Sequence, residues 1–230
     1  MVAVEFSSEA TDTLLRSNNT PASPDAYDLM LTAFGVALAD WSGGRTFRLD
    51  VEGHGREAIG EEIEVSRTIG WFMTMYPIIL DMSQSDSLSA AVEQTRQMLR
   101  SIPNKGMNYG ILKYLTKHES ARRTAILERK ANINFNYMGQ FGNELNNEKF
   151  TFSAMPPGDT IGLDNERMYQ LEAVAMIVGG QLVVRFVYNT RDYEYSNIQE
   201  LVNRYKTRLE ALLELHKHGY ASVQRPGLNI

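Results

Sequence analysis

The chain has 230 residues, 43% hydrophobic and 22% charged, with 23 basic against 28 acidic side chains and a formal net charge of -5. This is the make-up of a globular protein with one large core or two small ones. The acidic balance supplies no global field for a nucleic-acid backbone, and no apolar stretch reaches the roughly 18 residues of a membrane-spanning helix. Zero cysteines remove disulfides, thiolate nucleophiles, zinc–thiolate sites and iron–sulfur clusters. The four histidines (His54, His118, His216, His218) give a metal little to draw on, so no metal site is expected. Residues Met1 to Phe6 lack the basic and apolar regions of an export signal, and the expected compartment is the cytoplasm.

In chain order, Tyr27, Leu31, Phe34, Leu38 and Trp41 recur at three- to four-residue spacing and predict a helix over 24–41, with Ser23 as cap and Pro24 in the first turn. Phe47, Leu49 and Val51 alternate with Arg48, Asp50 and Glu52, the pattern of a half-polar strand. Residues 74–82 predict another strand. Leu88, Val92, Thr95, Leu99 and Ile102 form the stripe of a helix over 87–101, capped by Asp86 and stopped by Pro103. A short helix is expected over 107–118. Ile133, Phe135 and Tyr137 oppose Asn132, Asn134 and Asn136, giving a second half-polar strand. The stretch 139–167 is rich in Gly, Asn and Pro and long for a plain connection, which suits a functional crossover or a mobile loop. Residues 168–190 read as a hairpin turning at Gly179-Gly180. The last helix, over 196–217, carries Leu201, Tyr205, Leu209, Leu212 and His216, opens on the capping-box pair Ser196 and Gln199, and ends at Gly219. The tail 219–230 is expected to be disordered. No repeat interrupts this alternation, and the fold class it predicts is α/β, a two-layer sandwich with a mixed sheet and helices on one face.

The densest chemical cluster is Glu52-Gly53-His54-Gly55-Arg56-Glu57, where two acids, an imidazole and a guanidinium follow a strand end. Such a position can present a general acid or base held by the sheet. The competing reading is a polar turn with a local Arg–Glu pair. It is no phosphate loop, since it lacks the lysine and the helix start. Arg67 to Pro77 is rich in aromatics, a density typical of core. Lys105, Lys113, Lys117, Arg122, Arg123, Arg129 and Lys130 form a local basic excess, either a solvated helix face or a surface that steers an acidic partner.

Taken together, Asp28 to Gly35, EGHGRE at 52–57, RTIGWFMTMYP at 67–77, PNKGMNYG at 103–110 and NFNYMG at 134–139 resemble, in order, the signature series of epimerization domains of nonribosomal peptide synthetases. The resemblance covers about residues 3–218 and matches only the C-terminal half of such a domain, without the HHxxxDG motif of the N-terminal half. FNYMG in place of FNYLG is a volume-conserving change.

The resemblance implies membership of the condensation-domain superfamily and one lobe (1–218) of a fold like that of chloramphenicol acetyltransferase, with the active site between two lobes. It implies an isomerase of antibiotic biosynthesis that interconverts L and D configurations at the α-carbon of an aminoacyl or peptidyl thioester. The substrate is carried on the phosphopantetheine of a peptidyl carrier protein, and no cofactor is bound directly. The family's catalytic glutamate and tyrosine fall on Glu52 and Tyr137, and His54, Trp71 and Asn136 become candidate substrate-binding residues. The partner histidine would come from the N-terminal lobe, so the isolated chain is expected to be inactive and, with an uncovered apolar face, to self-associate. Partial desolvation of Glu52 would raise its pKa toward a useful range. Two other readings stand beside this one. A condensation-type acyltransfer lobe is disfavoured by EGHGRE and RTIGWF, and a non-catalytic carrier-docking lobe turns on whether Glu52 lines a cleft.

Overall fold

Two half-polar strands lie side by side in a six-stranded mixed sheet and fix the identity of its two faces. The computed structural model describes residues 1–16, 23–57, 64–83, 86–116, 130–141, 155, 158, 162 and 165–217. Its elements are β1 (Val2–Glu5), α1 (Ser8–Leu15), α2 (Ala26–Ser42), β2 (Thr46–Gly53), β3 (Thr74–Asp81), α3 (Leu88–Ser101), a 3-10 turn (Pro103–Gly106) and α4 (Met107–Gly110), which continues as a π turn (Ile111–Leu115). They are followed by β4 (Ile133–Phe141), β5 (Leu171–Val178), β6 (Gln181–Tyr188) and α5 (Tyr195–Lys217). The strand order is β1-β6-β5-β4-β2-β3. β4 runs parallel to both β2 and β5, and the other pairs are antiparallel.

Alternation decides what each face does. Leu49, Val51, Phe135, Leu171, Ala173, Ala175, Val184 and Phe186 are buried toward the helices, and α2 and α5 lie against each other over that face. Phe34 of α2 stacks among Phe135, Phe186 and Tyr205, with ring centroids 5.4, 6.1 and 6.4 Å away. A fully buried ring of this kind contributes about 1.5–3 kcal/mol through removal from water. The intervening residues, Asp50, Glu52, Asn134, Asn136 and Glu172, face the other way.

Most boundaries follow the predicted pattern, with physical corrections at the caps. α2 starts after Asp25, not Ser23: Asp25 accepts from the Asp28 amide at 2.8 Å while the Asp28 side chain accepts from the Asp25 amide at 3.0 Å. This reciprocal box satisfies two free donors where a serine before proline satisfies one. α3 is capped by Ser87, which accepts from the Ala90 amide at 3.2 Å, and not by Asp86. α5 begins at Tyr195, so Ser196 lies inside its first turn; Gln199 bonds along the helix to Tyr195 and Asn203 instead of closing a box. The short helix tightens and then widens, ending as a π turn at Leu115. β4 reaches Phe141 through a register shift after Tyr137, so the start of the turn-rich stretch 139–167 belongs to the sheet. β1 and α1 were not read from the sequence. Gly179 and Gly180 turn the β5–β6 hairpin at φ 57° and 79°, the left-handed values such a turn demands. Gly219, the tail 219–230, Lys117, His118, Arg122, Arg123 and Arg129 lie outside the described residues.

Candidate functional site

Parallel pairing sets Asp50 beside Asn134 and Val51 beside Phe135, so the next residue on each strand, Glu52 and Asn136, meet on the face that, among the described residues, carries no helix (the helix-free face). Asn136 Nδ2 donates to Glu52 Oε2 at 2.7 Å, and Asn134 Nδ2 lies 3.5 Å from Oε1. Burial pushes the Glu52 pKa up, the negative charge of Glu172 adds to this, and the hydrogen bond from Asn134 pulls the other way. The result is a half-buried carboxyl, gripped by neutral amides and inclined to keep its proton.

One pleat earlier, the Tyr169 hydroxyl donates to Asp50 Oδ2 at 2.9 Å and lies 3.0 Å from Met75 Sδ. Burial, joined by the charge of Asp50, holds the Tyr169 phenol far above its ordinary pKa. Arg167 Nη2 contacts Glu172 Oε1 at 2.8 Å. Sequence reading missed Asp50, Tyr169, Arg167 and Glu172 as members of this face. The signal available was alternation, which already placed Asp50 with Glu52 and Asn134 with Asn136.

The rest of the EGHGRE run builds the strand end. His54 Nδ1 accepts from the Arg56 amide at 3.0 Å, and Nε2 meets Glu57 Oε1 at 3.0 Å. Glu57 Oε2 in turn takes Lys105 Nζ at 3.0 Å. Both ring nitrogens of His54 therefore have local partners. The local Arg–Glu pair does not form. Arg56 instead reaches the carbonyls of Val65, Thr68 and Gly70 at 2.6, 3.0 and 3.1 Å, and its guanidinium stands 4.3 Å over the Phe72 ring. Gly55 has φ +67°, and a Cβ there would lie 2.7 Å from the backbone of Phe72, so glycine lets the two segments touch. Of the aromatics in Arg67 to Pro77, Tyr76 is core as expected, while Trp71 is 80% exposed on the clasped loop, which also carries the fully exposed Ile69, and corrects the expectation there.

Tyr137 packs against the hydrophobic core on the helix side, and burial raises its phenol pKa. The structure therefore brings Glu52 and Asn136 together and places Tyr137 on the opposite side of the sheet. Asn104 and Lys105 of PNKG both adopt left-handed backbone, φ 47°, a strained turn beside the strand end. Lys113, one cation of the basic run, donates to the Tyr109 hydroxyl at 3.2 Å and sits over the Tyr109 and Tyr114 rings. Among the described residues no helix is long and apolar enough to cross a membrane, and no three His, Asp or Glu side chains are grouped to hold a metal ion.

Comparison with known proteins adds a second line of observation. A family model described as the condensation domain matches residues 2–226. Gramicidin S synthase 1 of Brevibacillus brevis is 38% identical over 221 residues, 93% of this chain and 20% of that protein. Bacitracin synthase 3 of Bacillus licheniformis is 36% identical over 211 residues, 92% of this chain and 3% of that protein. The chain thus spans a small part of these relatives. Among solved structures, the epimerization domain from the third module of tyrocidine synthetase B superposes with a TM-score of 0.83 at 36% identity, covering 93% of this chain and 47% of that one. The starter condensation domain of rhizomide synthetase reaches 0.55 at 14% identity over 93% of this chain and 45% of that one, a likeness of fold alone.

Proposed function

The chain belongs to the condensation-domain family, and from that membership we propose that it is the glutamate-bearing half of an epimerization domain. It acts in nonribosomal peptide synthesis in the cytoplasm, on an aminoacyl or peptidyl thioester presented by the phosphopantetheine of a peptidyl carrier protein. The observation that carries this reading is Glu52, half-buried on the sheet face opposite α2 and α5 and held by Asn136 at 2.7 Å. The closer likeness to an epimerization domain than to a starter condensation domain supports it.

Racemisation at an α-carbon needs a group that takes a proton on one face and a group that returns one on the other. A thioester α-proton is weakly acidic, so the carboxyl must be able to hold a proton near neutral pH yet remain able to give it up. Desolvation does the first, and neutral amide donors do the second without fixing a permanent counter-charge beside the base. The complementary acid–base group is a histidine from the other lobe of the domain. Tyr137, whose phenol burial keeps protonated, is packed against the core on the helix side and plays the smaller part. His54 acts by holding Glu57, and so Lys105, at the mouth of the site, while Trp71 offers an exposed ring to the carrier-borne chain.

The test uses the complete domain, this chain joined to its upstream half, with a carrier-bound aminoacyl thioester in deuterated solvent. Deuterium at the α-carbon that disappears in Glu52→Gln upholds the reading. Amide-bond formation without α-proton exchange would replace it by condensation-type acyl transfer, the reaction class that the family model leaves open. Carrier binding with neither reaction would leave a docking lobe.

A further inference from the structure

Three carboxylates, on β2 and β5, lie on this face of the sheet on either side of β4, and each has a different companion. Glu52 has the two asparagines, Asp50 has the Tyr169 hydroxyl, and Glu172 has Arg167. Glu172 is in register with Asn134, and Asn134 with Asp50. Between the strands of Glu52 and Glu172 stands only β4, whose Asn134 is 3% exposed and carries no charge. The Arg167 and Glu172 side chains are themselves 32% and 27% exposed, so water screens their charges incompletely.

We propose that the Arg167–Glu172 ion pair tunes Glu52 across β4, with both residues acting as positioning residues for the acid–base group. Glu172 opposes ionisation of Glu52, and Arg167 limits that opposition by compensating Glu172. The proposal rests on the reading of Glu52 as the acid–base group. The direction in which Glu172 acts on Glu52 agrees with it. Among the described residues, the other groups on the elements around Glu52 are these. On the helix-free face they are Asp50 and Arg48 on its own strand, Met75 opposite it on β3, Asn134 and Asn136 on β4, Tyr169 ahead of β5 and Arg185 on β6. From α2, the Tyr27 phenol is close enough to feel its charge. Asp50, which accepts from the Tyr169 hydroxyl, is unchanged in all of these variants and so adds the same field to each.

The decisive measurement is a titration of the Glu52 carboxyl by carbon-13 NMR in the full 230-residue chain, with the resonance assigned through its loss in Glu52→Gln. Glu172→Gln should lower the Glu52 midpoint by about half a pH unit or more, and Arg167→Gln should raise it by a similar amount. The double variant should return close to the parent midpoint, because the two opposite charges leave together and their shifts cancel. Single-variant midpoints within about a tenth of a unit of the parent, or shifts of the same sign in both single variants, would overturn the proposal. If Glu172→Gln does not fold, the sign of the Arg167→Gln shift decides. The titration needs no turnover. Absence of α-proton exchange in the complete domain would remove the epimerase reading, and an unmoved midpoint would remove the tuning, so the two failures are seen separately. Where exchange is present, the acid limb of its pH profile should move with the midpoints.

Discussion

Asn136 donates its side-chain N–H to Glu52 at 2.7 Å across two parallel strands, although 84 residues separate them in sequence. The choice of donor has a chemical consequence. An arginine or lysine in that position would hold the carboxylate ionised and drive its pKa down, whereas an amide orients the carboxyl and leaves burial in control.

Removing that amide should disturb orientation and ionisation together. Asn136→Ala in the complete domain is expected to slow α-proton exchange by about tenfold and to raise the Glu52 midpoint further, since a hydrogen bond to the charged form is lost. Asn136→Lys should slow exchange by lowering the midpoint instead. Rate profiles against pH distinguish the two, and equal displacement in one direction would contradict the proposed role of the amide.

Glu52→Gln preserves volume and the hydrogen-bonding reach while deleting the acid–base group, so exchange should fall by about 10²-fold or more. Tyr137→Phe should cost less, because its side chain leaves the opposite side of β4 and touches neither Glu52 nor Asn136. Isotope incorporation by mass spectrometry ranks them. A Tyr137→Phe loss as large as that of Glu52→Gln would mean that the substrate runs along the helix side.

The alternation of 47–52 and 132–137 made β2 and β4 legible and also told which residues share a face, while Glu52 and Asn136 were singled out as site residues through the family resemblance. Their contact was not legible, because parallel register between distant strands is set by the whole sheet. Caps were misplaced by one or two residues where Ser and Asp stand close together, as at Ser23 and Asp25 or Asp86 and Ser87; each can cap, and packing chooses. β1 and α1 went unread because a four-residue strand and a two-turn helix carry too few periods. Arg56 looked like an acid's partner by proximity, but its guanidinium is satisfied by three carbonyls that the sequence places up to 14 residues away.

That clasp predicts a local effect. Arg56→Ala should lower amide protection over the described loop residues 64–73 and cost about 1–2 kcal/mol of stability, through loss of charged hydrogen bonds and of the contact with Phe72. Arg56→Lys should not restore protection, since one ammonium cannot span three carbonyls as a planar fork does. Gly55→Ala should be at least as damaging, because it combines a left-handed backbone with the 2.7 Å approach to Phe72. Hydrogen exchange that leaves the loop unchanged in Arg56→Ala would show that other contacts hold it.

The last expectation concerns pH and the start of α2. Asp28 is 4% exposed, and burial pushes its carboxyl up to about 6 from an ordinary 3.8, with the hydrogen bond to the Asp25 backbone pulling the other way. An acid whose folded pKa lies above its unfolded one holds its proton longer when folded, so this group makes stability fall as pH rises from about 4 to 6 and adds no slope outside that window. Asp28→Asn keeps an oxygen to accept the Asp25 amide and removes the buried charge. Its stability should equal or slightly trail the parent below about pH 4 and exceed it above pH 6, by a margin on the order of 1–3 kcal/mol. Urea unfolding of both forms across that window reads the difference directly. A parallel pair of stability curves, with no convergence toward low pH, would show that the buried carboxyl of Asp28 is not what titrates.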